Sequence, residues 1–79
     1  MAVTDKVKAM LSLKGKKVGD LAVHFEMSSQ AMRNKMHRGS FSAEDLIKIA
    51  DFLEAELIFK MSDNQNIVLD KDDLRNVEN

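Results

Sequence analysis

The sequence predicts a mainly α fold, four helices followed by a C-terminal β-hairpin. Three observations carry this prediction. Apolar residues recur at helical spacing in four separate runs between residues 5 and 53. After Ala55 the period switches to the alternation of a strand. The runs are punctuated by Gly15, Gly19, Gly39 and two polar clusters, Ser28-Ser29 and Ser62 to Asn66, with no proline, internal repeat or low-complexity stretch.

The first run predicts a helix over Asp5–Leu13. Thr4 stands as its cap, and Val7, Met10 and Leu11 keep the i, i+3, i+4 spacing of one face. Gly15 lies where a helix stops in a left-handed turn. Val18, Leu21, Ala22 and Phe25 form a complete apolar stripe and predict a second helix over Val18–Phe25. Asp20 suits its positive N-terminal end, and Gly19 weakens it by up to ~1 kcal/mol relative to alanine. Ser28 caps a third helix running to His37, with Met32 and Met36 inward, Ala31 beside them and Gly39 ending it. The fourth start is the best marked: Ser42 and Asp45 make a capping box, with Phe41 and Leu46 at the staple positions. Leu46, Ile49, Ala50 and Leu53 form its stripe, widened by Ile47 and Phe52.

Leu57, Phe59 and Met61 then alternate with Ile58, Lys60 and Ser62 as in a strand. Asp63 to Asn66 is rich in turn formers, and Ile67-Val68-Leu69 is a second short strand. Together they predict a hairpin with a four- or five-residue loop. Residues 71–79 form a charged, frayed tail with at most one helical turn around Leu74. The expected organisation is residues 1–55 as the functional domain, 56–70 as the hairpin and 71–79 as the tail. The methionines Met10, Met27, Met32, Met36 and Met61 read most simply as core filler.

A chain of 79 residues is one domain with a modest core, so a partner subunit is expected to complete its burial. The absence of cysteine excludes a disulfide framework, a zinc ribbon and a thiol nucleophile. No apolar run approaches the ~18 residues of a membrane span, and the polar start lacks the apolar region of a signal peptide. These features point to the cytoplasm. The net charge of −1 argues against a general nucleic-acid binder. Along the chain, however, the charge is divided. Residues 1–41 carry eight Lys/Arg against three acids, a balance of +5, and residues 42–79 carry four against ten, a balance of −6. This asymmetry suggests an anionic partner for the first half. The plainer alternative is two solvated faces that happen to differ.

The second and third runs are joined by a short link, Phe25 to Ser29, too tight for a sheet crossover. Two short helices so joined, the second capped by serine and polar on its outer side, describe a helix-turn-helix. Ala22 supplies the small residue where the helices cross, and Met32 and Met36 anchor the second helix from behind. At ~100° per residue, Gln30, Asn34, His37 and Arg38 then lie opposite the methionines, with Arg33 to one side. Gln and Asn bind adenine through two hydrogen bonds, and Arg binds guanine O6 and N7 in the same manner. Ser28 and Ser29 bring free backbone N–H groups to the positive end of the helix, where a phosphate can sit. Lys16 and Lys17 precede the helix that crosses the DNA backbone in this motif, and Arg38 and Ser40 flank the far end. The expected base-reading residues are Ser29, Gln30, Arg33, Asn34 and His37. The expected phosphate contacts are Lys16, Lys17, Ser28, Arg38 and Ser40.

The stretch KKVGDLAVHFEMSSQAMRNKMHRGSFSAEDLIKIADFLEAEL, residues 16–57, resembles the Cro- and phage-repressor-type (Xre-type) helix-turn-helix family. The shared features are Leu21-Ala22, the Ser28-Ser29-Gln30 start, Arg38-Gly39, and the following helix with Leu46, Ile49, Ala50 and Leu53. The resemblance implies a four-helix repressor-like helix-turn-helix domain that binds operator DNA, usually as a dimer, without catalytic activity. It also matches Gln30 to the start of the base-reading helix and Arg33 and Asn34 to its exposed second turn. The chain departs from the pattern in three places. Glu26 stands in the turn where the family often has glycine. Met32 and Met36 are four apart rather than three. His37 replaces a frequent acid before Arg-Gly.

The hairpin has two readings. It caps the helical core, or it pairs with its copy across a two-fold axis, with Leu57, Phe59, Ile67 and Leu69 at the dimer interface. The second is favoured because an isolated hairpin is marginal in water. His24 and His37 have no carboxylate or cysteine at ligand spacing, so no metal site is expected, nor any cofactor or small-molecule ligand. No Ser/His/Asp pattern or phosphate-cradling loop suggests an enzyme. A different class of function is a protein-interaction module, such as an antitoxin-like or phage-encoded partner binder with a repurposed helix-turn-helix, favoured by Glu26 and the acidic second half. The leading expectation is a dimeric, nucleoid-associated transcriptional regulator.

Overall fold

The apolar runs become helices in the computed structural model, which describes the backbone of residues 2–78 and side chains through Leu74. The described residues form α1 (Val3–Leu13), α2 (Val18–His24), α3 (Ser29–Arg38), α4 (Ala43–Phe52), β1 (Leu57–Ser62), β2 (Gln65–Leu69) and a C-terminal 3-10 helix (Lys71–Glu78). The fold is thus mainly α, with a terminal hairpin. The chain packs as two units, Met1–Phe41 and Ser42–Asn79. Their boundary coincides with the change from the basic to the acidic half.

The first unit holds α1 to α3 around Val7, Leu11, Leu21, Ala22, Met32 and Met36, all buried. Each helix gives two residues at i, i+4 or adjacent positions, so three short stripes close one small core. Met10 lies beside this face rather than in it and is exposed; Met27 is half-buried. α1 begins earlier than its spacing predicts. Ala2 is the N-cap, and its N–H donates to Asp5 Oδ2 at 3.3 Å. Thr4 therefore lies inside the first turn and does not cap it. Its hydroxyl instead donates to the Met36 carbonyl at 2.6 Å, joining α1 to α3.

All four helices end with the chain turning through a left-handed residue, and after α1, α2 and α4 the next N–H closes back onto the helix. After α1, Gly15 (φ 66°) lets the Lys16 N–H reach the Leu11 carbonyl at 2.9 Å. After α2, Glu26 (φ 56°) lets Met27 N–H reach the Ala22 carbonyl at 2.9 Å. After α4, Glu54 (φ 55°) lets Ala55 N–H reach the Ala50 carbonyl at 2.9 Å. A left-handed non-glycine residue costs about 1–2 kcal/mol. Glycine relieves that strain but adds about 0.5–1 kcal/mol of unfolded-state entropy. Glu54→Gly is therefore expected to stabilise the protein by about 0.5–1 kcal/mol, a rise of roughly 2–8 °C in Tm by thermal denaturation.

In the second unit, Ser42 and Asp45 form the predicted reciprocal cap of α4. Ser42 N–H donates to Asp45 Oδ2 at 2.9 Å, and Asp45 N–H donates to Ser42 Oγ at 3.1 Å. The inward stripe is centred on Ile47, Ile49 and Leu53, while Leu46, Ala50 and Phe52 are half-buried. The helix is thus rotated slightly from the face its spacing suggested. β1 and β2 are antiparallel, pairing Leu57 with Leu69, Ile58 with Val68, Phe59 with Ile67, Lys60 with Asn66 and Ser62 with Gln65. Only Asp63 and Asn64 form the loop, fewer than the four or five residues predicted. The register shifts between Lys60 and Ser62, leaving Met61 unpaired. A bulge of this kind absorbs one residue, and here it lets Gln65 and Asn66 join the ladder. Met61 is 62% exposed, so it is not core filler. The tail is more ordered than its charge suggests. Asp70 N–H donates to Asp73 Oδ2 and Asp72 N–H to Asp70 Oδ1, both at 2.9 Å, capping the eight-residue 3-10 helix. Asn79 lies outside the described residues.

Candidate nucleic-acid interface

α2 and α3 are joined by the turn through Phe25, Glu26 and Met27. Close approach of the two helices needs small residues at their contact. Ala22 is buried there, as its position predicts. Gly19 lies near Ser29, but a Cβ on it would sit 3.9 Å from Ser29 Oγ, in ordinary contact, so the crossing does not require glycine there. Its sequence signal, a glycine early in a helix, reads only as a weakness. Leu21 and Met32, each with 0% exposure, lock the pair from behind.

Locking one side of α3 determines what the other presents. Ser29, Gln30, Arg33, Asn34, His37 and Arg38 are all exposed, so the five predicted base readers share the outward side of one helix. Met32 and Met36 are both buried, so their four-residue spacing is compatible with anchoring a ten-residue helix. Gln30 Nε2 donates to Asn34 Oδ1 at 3.1 Å, one turn along. This bond was not legible in the sequence. It restrains two flexible amides and leaves Gln30 Oε1 as acceptor and Asn34 Nδ2 as donor. Adenine presents the complementary pair, an N6 donor and an N7 acceptor.

The predicted phosphate contacts stand at the ends of these helices. Lys17 is the N-cap of α2, its N–H donating to Asp20 Oδ2 at 2.9 Å, and its side chain is exposed, as is that of Lys16. Ser28 caps α3, its Oγ accepting from Ala31 N–H at 3.0 Å. Among the described residues, the Ser29 and Gln30 amides have no acceptor, as expected at a helix start. At the other end, Arg38 and Ser40 are exposed on either side of Gly39, whose φ of 67° turns the chain away. The predicted dimer residues lie in the second unit. Phe59 and Ile67, paired across the hairpin, are 57% and 55% exposed, whereas Leu57 and Leu69 are half-buried. Sequence reasoning missed Thr4 and Lys8, which line a groove beside α3. Their only signal was their place on the outer turns of α1.

A model of the bacteriophage CI repressor helix-turn-helix domain matches residues 2–59. The chain belongs to this family. It is accordingly a DNA-binding regulator of the repressor helix-turn-helix type. The CI repressor match spans α1 to α4 in full, so it reaches further towards the N-terminus than residues 16–57, and it ends within β1. No curated protein and no solved structure gives a significant match to the chain. No helix among the described residues is long and apolar enough to cross a membrane.

Proposed function

We propose that this chain is a sequence-specific transcriptional repressor that inserts α3 into the major groove of an operator. The observation that carries the reading is the outward side of α3, where Gln30, Arg33, Asn34 and His37 are exposed opposite two buried methionines. Gln30 and Asn34 would read adenine as a coupled pair, Arg33 would take guanine O6 and N7, and Ser29 and His37 would contact neighbouring bases. Lys16, Lys17, Ser28, Arg38 and Ser40 would neutralise or bind phosphates and set the orientation on the duplex. Residues 1–55 would act as the DNA-binding domain, in the cytoplasm on the nucleoid, through binding alone.

Two copies would pair through the hairpin of residues 56–70. The support is the exposed cross-strand pair of Phe59 and Ile67, together with exposed Ile58, Met61 and Val68. Phe59 and Ile67 share one face of the hairpin and Ile58 and Val68 the other, and an exposed apolar pair of this kind is what a partner covers. A two-fold dimer also matches operator half-sites about one helical turn, ~34 Å, apart. Phe59→Asp is expected to convert the dimer to a monomer in light scattering while leaving helical content unchanged. A dimer that persists would move the interface elsewhere.

Selection of binding sites from a random duplex pool tests the reading as a whole, with enrichment of a two-fold repeat as the expected result. A pool that yields no enriched sequence would refute sequence-specific binding. Lys17→Ala is expected to weaken binding to all sequences alike and to lower the salt slope by about one.

A further inference from the structure

An open groove of about 480 Å³ lies in the first unit, between the early turns of α1 and the C-terminal end of α3. Thr4, Asp5 and Lys8 line one side, and Arg33, His37 and Arg38 the other. Three fixed positive charges thus face one carboxylate. Among the described residues, Lys8, Arg33 and Arg38 have no acidic partner. Asp5 is already engaged by the Ala2 N–H. The end of a helix normally repels anions through its free carbonyls. Here that repulsion is reduced. The Met36 carbonyl accepts both the Thr4 hydroxyl, at 2.6 Å, and the Gly39 N–H, at 3.1 Å, and the Lys35 carbonyl accepts the Gly39 N–H at 3.0 Å. The Thr4 bond also pins the two walls together, so the groove exists before any ligand arrives.

We propose that this groove is an anion site that takes a phosphate group, held between Lys8 and the Arg38 guanidinium, while Arg33, which also lines it, adds its charge and keeps the base contact proposed above. Guanidinium and ammonium groups suit phosphate because each donates charge-assisted hydrogen bonds to its oxygens. The phosphate has two possible sources. One is a phosphate of the DNA backbone, which Lys8 would share with Arg38, an option that rests on the DNA-binding reading above. The other is a free phosphorylated small molecule. The groove, of about 480 Å³, is large enough for a phosphate with a small organic group attached.

The test uses the full chain and two probes. In the first arm, inorganic phosphate is titrated into labelled protein, with chloride at matched ionic strength as control. Saturable amide shifts are expected at Thr4, Lys8, Arg38 and Gly39, weakened several-fold in Lys8→Ala and restored in Lys8→Arg. In the second arm, duplex affinity is measured across salt for the parent, Lys8→Ala and Lys17→Ala. If DNA supplies the phosphate, Lys8→Ala lowers the slope of log affinity against log salt by about 0.9. If Lys8→Ala weakens inorganic phosphate but leaves the slope unchanged, a free phosphorylated molecule is the source. Should Lys17→Ala lower the slope while Lys8→Ala changes neither readout, the groove proposal is overturned and DNA binding stands. If instead the parent binds no duplex yet inorganic phosphate saturates the groove, the DNA reading falls and the anion site stands. Lys8 is exposed, so its replacement leaves the core intact, which circular dichroism checks.

Discussion

Leu21→Ala is expected to destabilise the protein by about 2–5 kcal/mol, the range for deleting a buried leucine side chain. The full range applies because the first unit has little else to rely on. Its core consists of six residues from three short helices, and Leu21 has no exposure at all. Leu21 also belongs to the helix that leads into the turn of the helix-turn-helix, where Glu26 already occupies a left-handed conformation. At about 4–8 °C per kcal/mol for a chain of this size, the melting temperature should fall by roughly 10 °C or more. Val23, two residues along the same helix, is 76% exposed and provides the control. Val23→Ala should change stability by no more than about 0.5 kcal/mol. Equal losses in the two variants would mean that α2 does not bury the face described.

Arg33→Ala carries the largest expected effect on recognition, a loss of about 1–3 kcal/mol of discrimination between the selected site and its variants. Arg33 lies in the second turn of α3, is exposed, and has no acidic partner among the described residues. Its guanidinium is therefore available to donate two parallel hydrogen bonds. The loss should be confined to one base position of each half-site, because phosphate contacts elsewhere are untouched. Competition binding with single-base variants of the selected site measures this. An Arg33→Ala protein that discriminates among those variants as well as the parent does would remove Arg33 from the readout.

Most of the helical framework was legible because local signals agreed with one another. Ser42 and Asp45 mark a helix start that forms as read, and Met32 and Met36 correctly orient α3. The outward positions of α3 follow from that orientation alone. What escaped the sequence depends on partners distant in the chain or on local pairings with no strong propensity. Thr4 looks like a cap, yet its hydroxyl bonds a carbonyl 32 residues away. Gln65 and Asn66 look like turn residues, yet a bulge at Met61 draws them into the ladder. Glu54 gives no hint of a left-handed conformation; the Ala50 carbonyl it helps to satisfy requires one. Asp73 reads as tail charge but accepts the Asp70 N–H and forms a cap. In the candidate site, the Gln30–Asn34 bond and the groove beside α3 escaped for similar reasons. The first needs specific rotamers, and the second needs the placement of α1 against α3.

Salt also tests the charge division between residues 1–41, at +5, and residues 42–79, at −6. The most direct measurement is the affinity of the parent chain for duplex DNA as salt is raised. If Lys16, Lys17 and Arg38 each neutralise a phosphate, log affinity should fall linearly with log salt, with a slope of about −2.7 per protomer from those three contacts. No binding at the lowest salt, or binding indifferent to salt, would contradict the assignment of α2 and α3 as a DNA-reading surface.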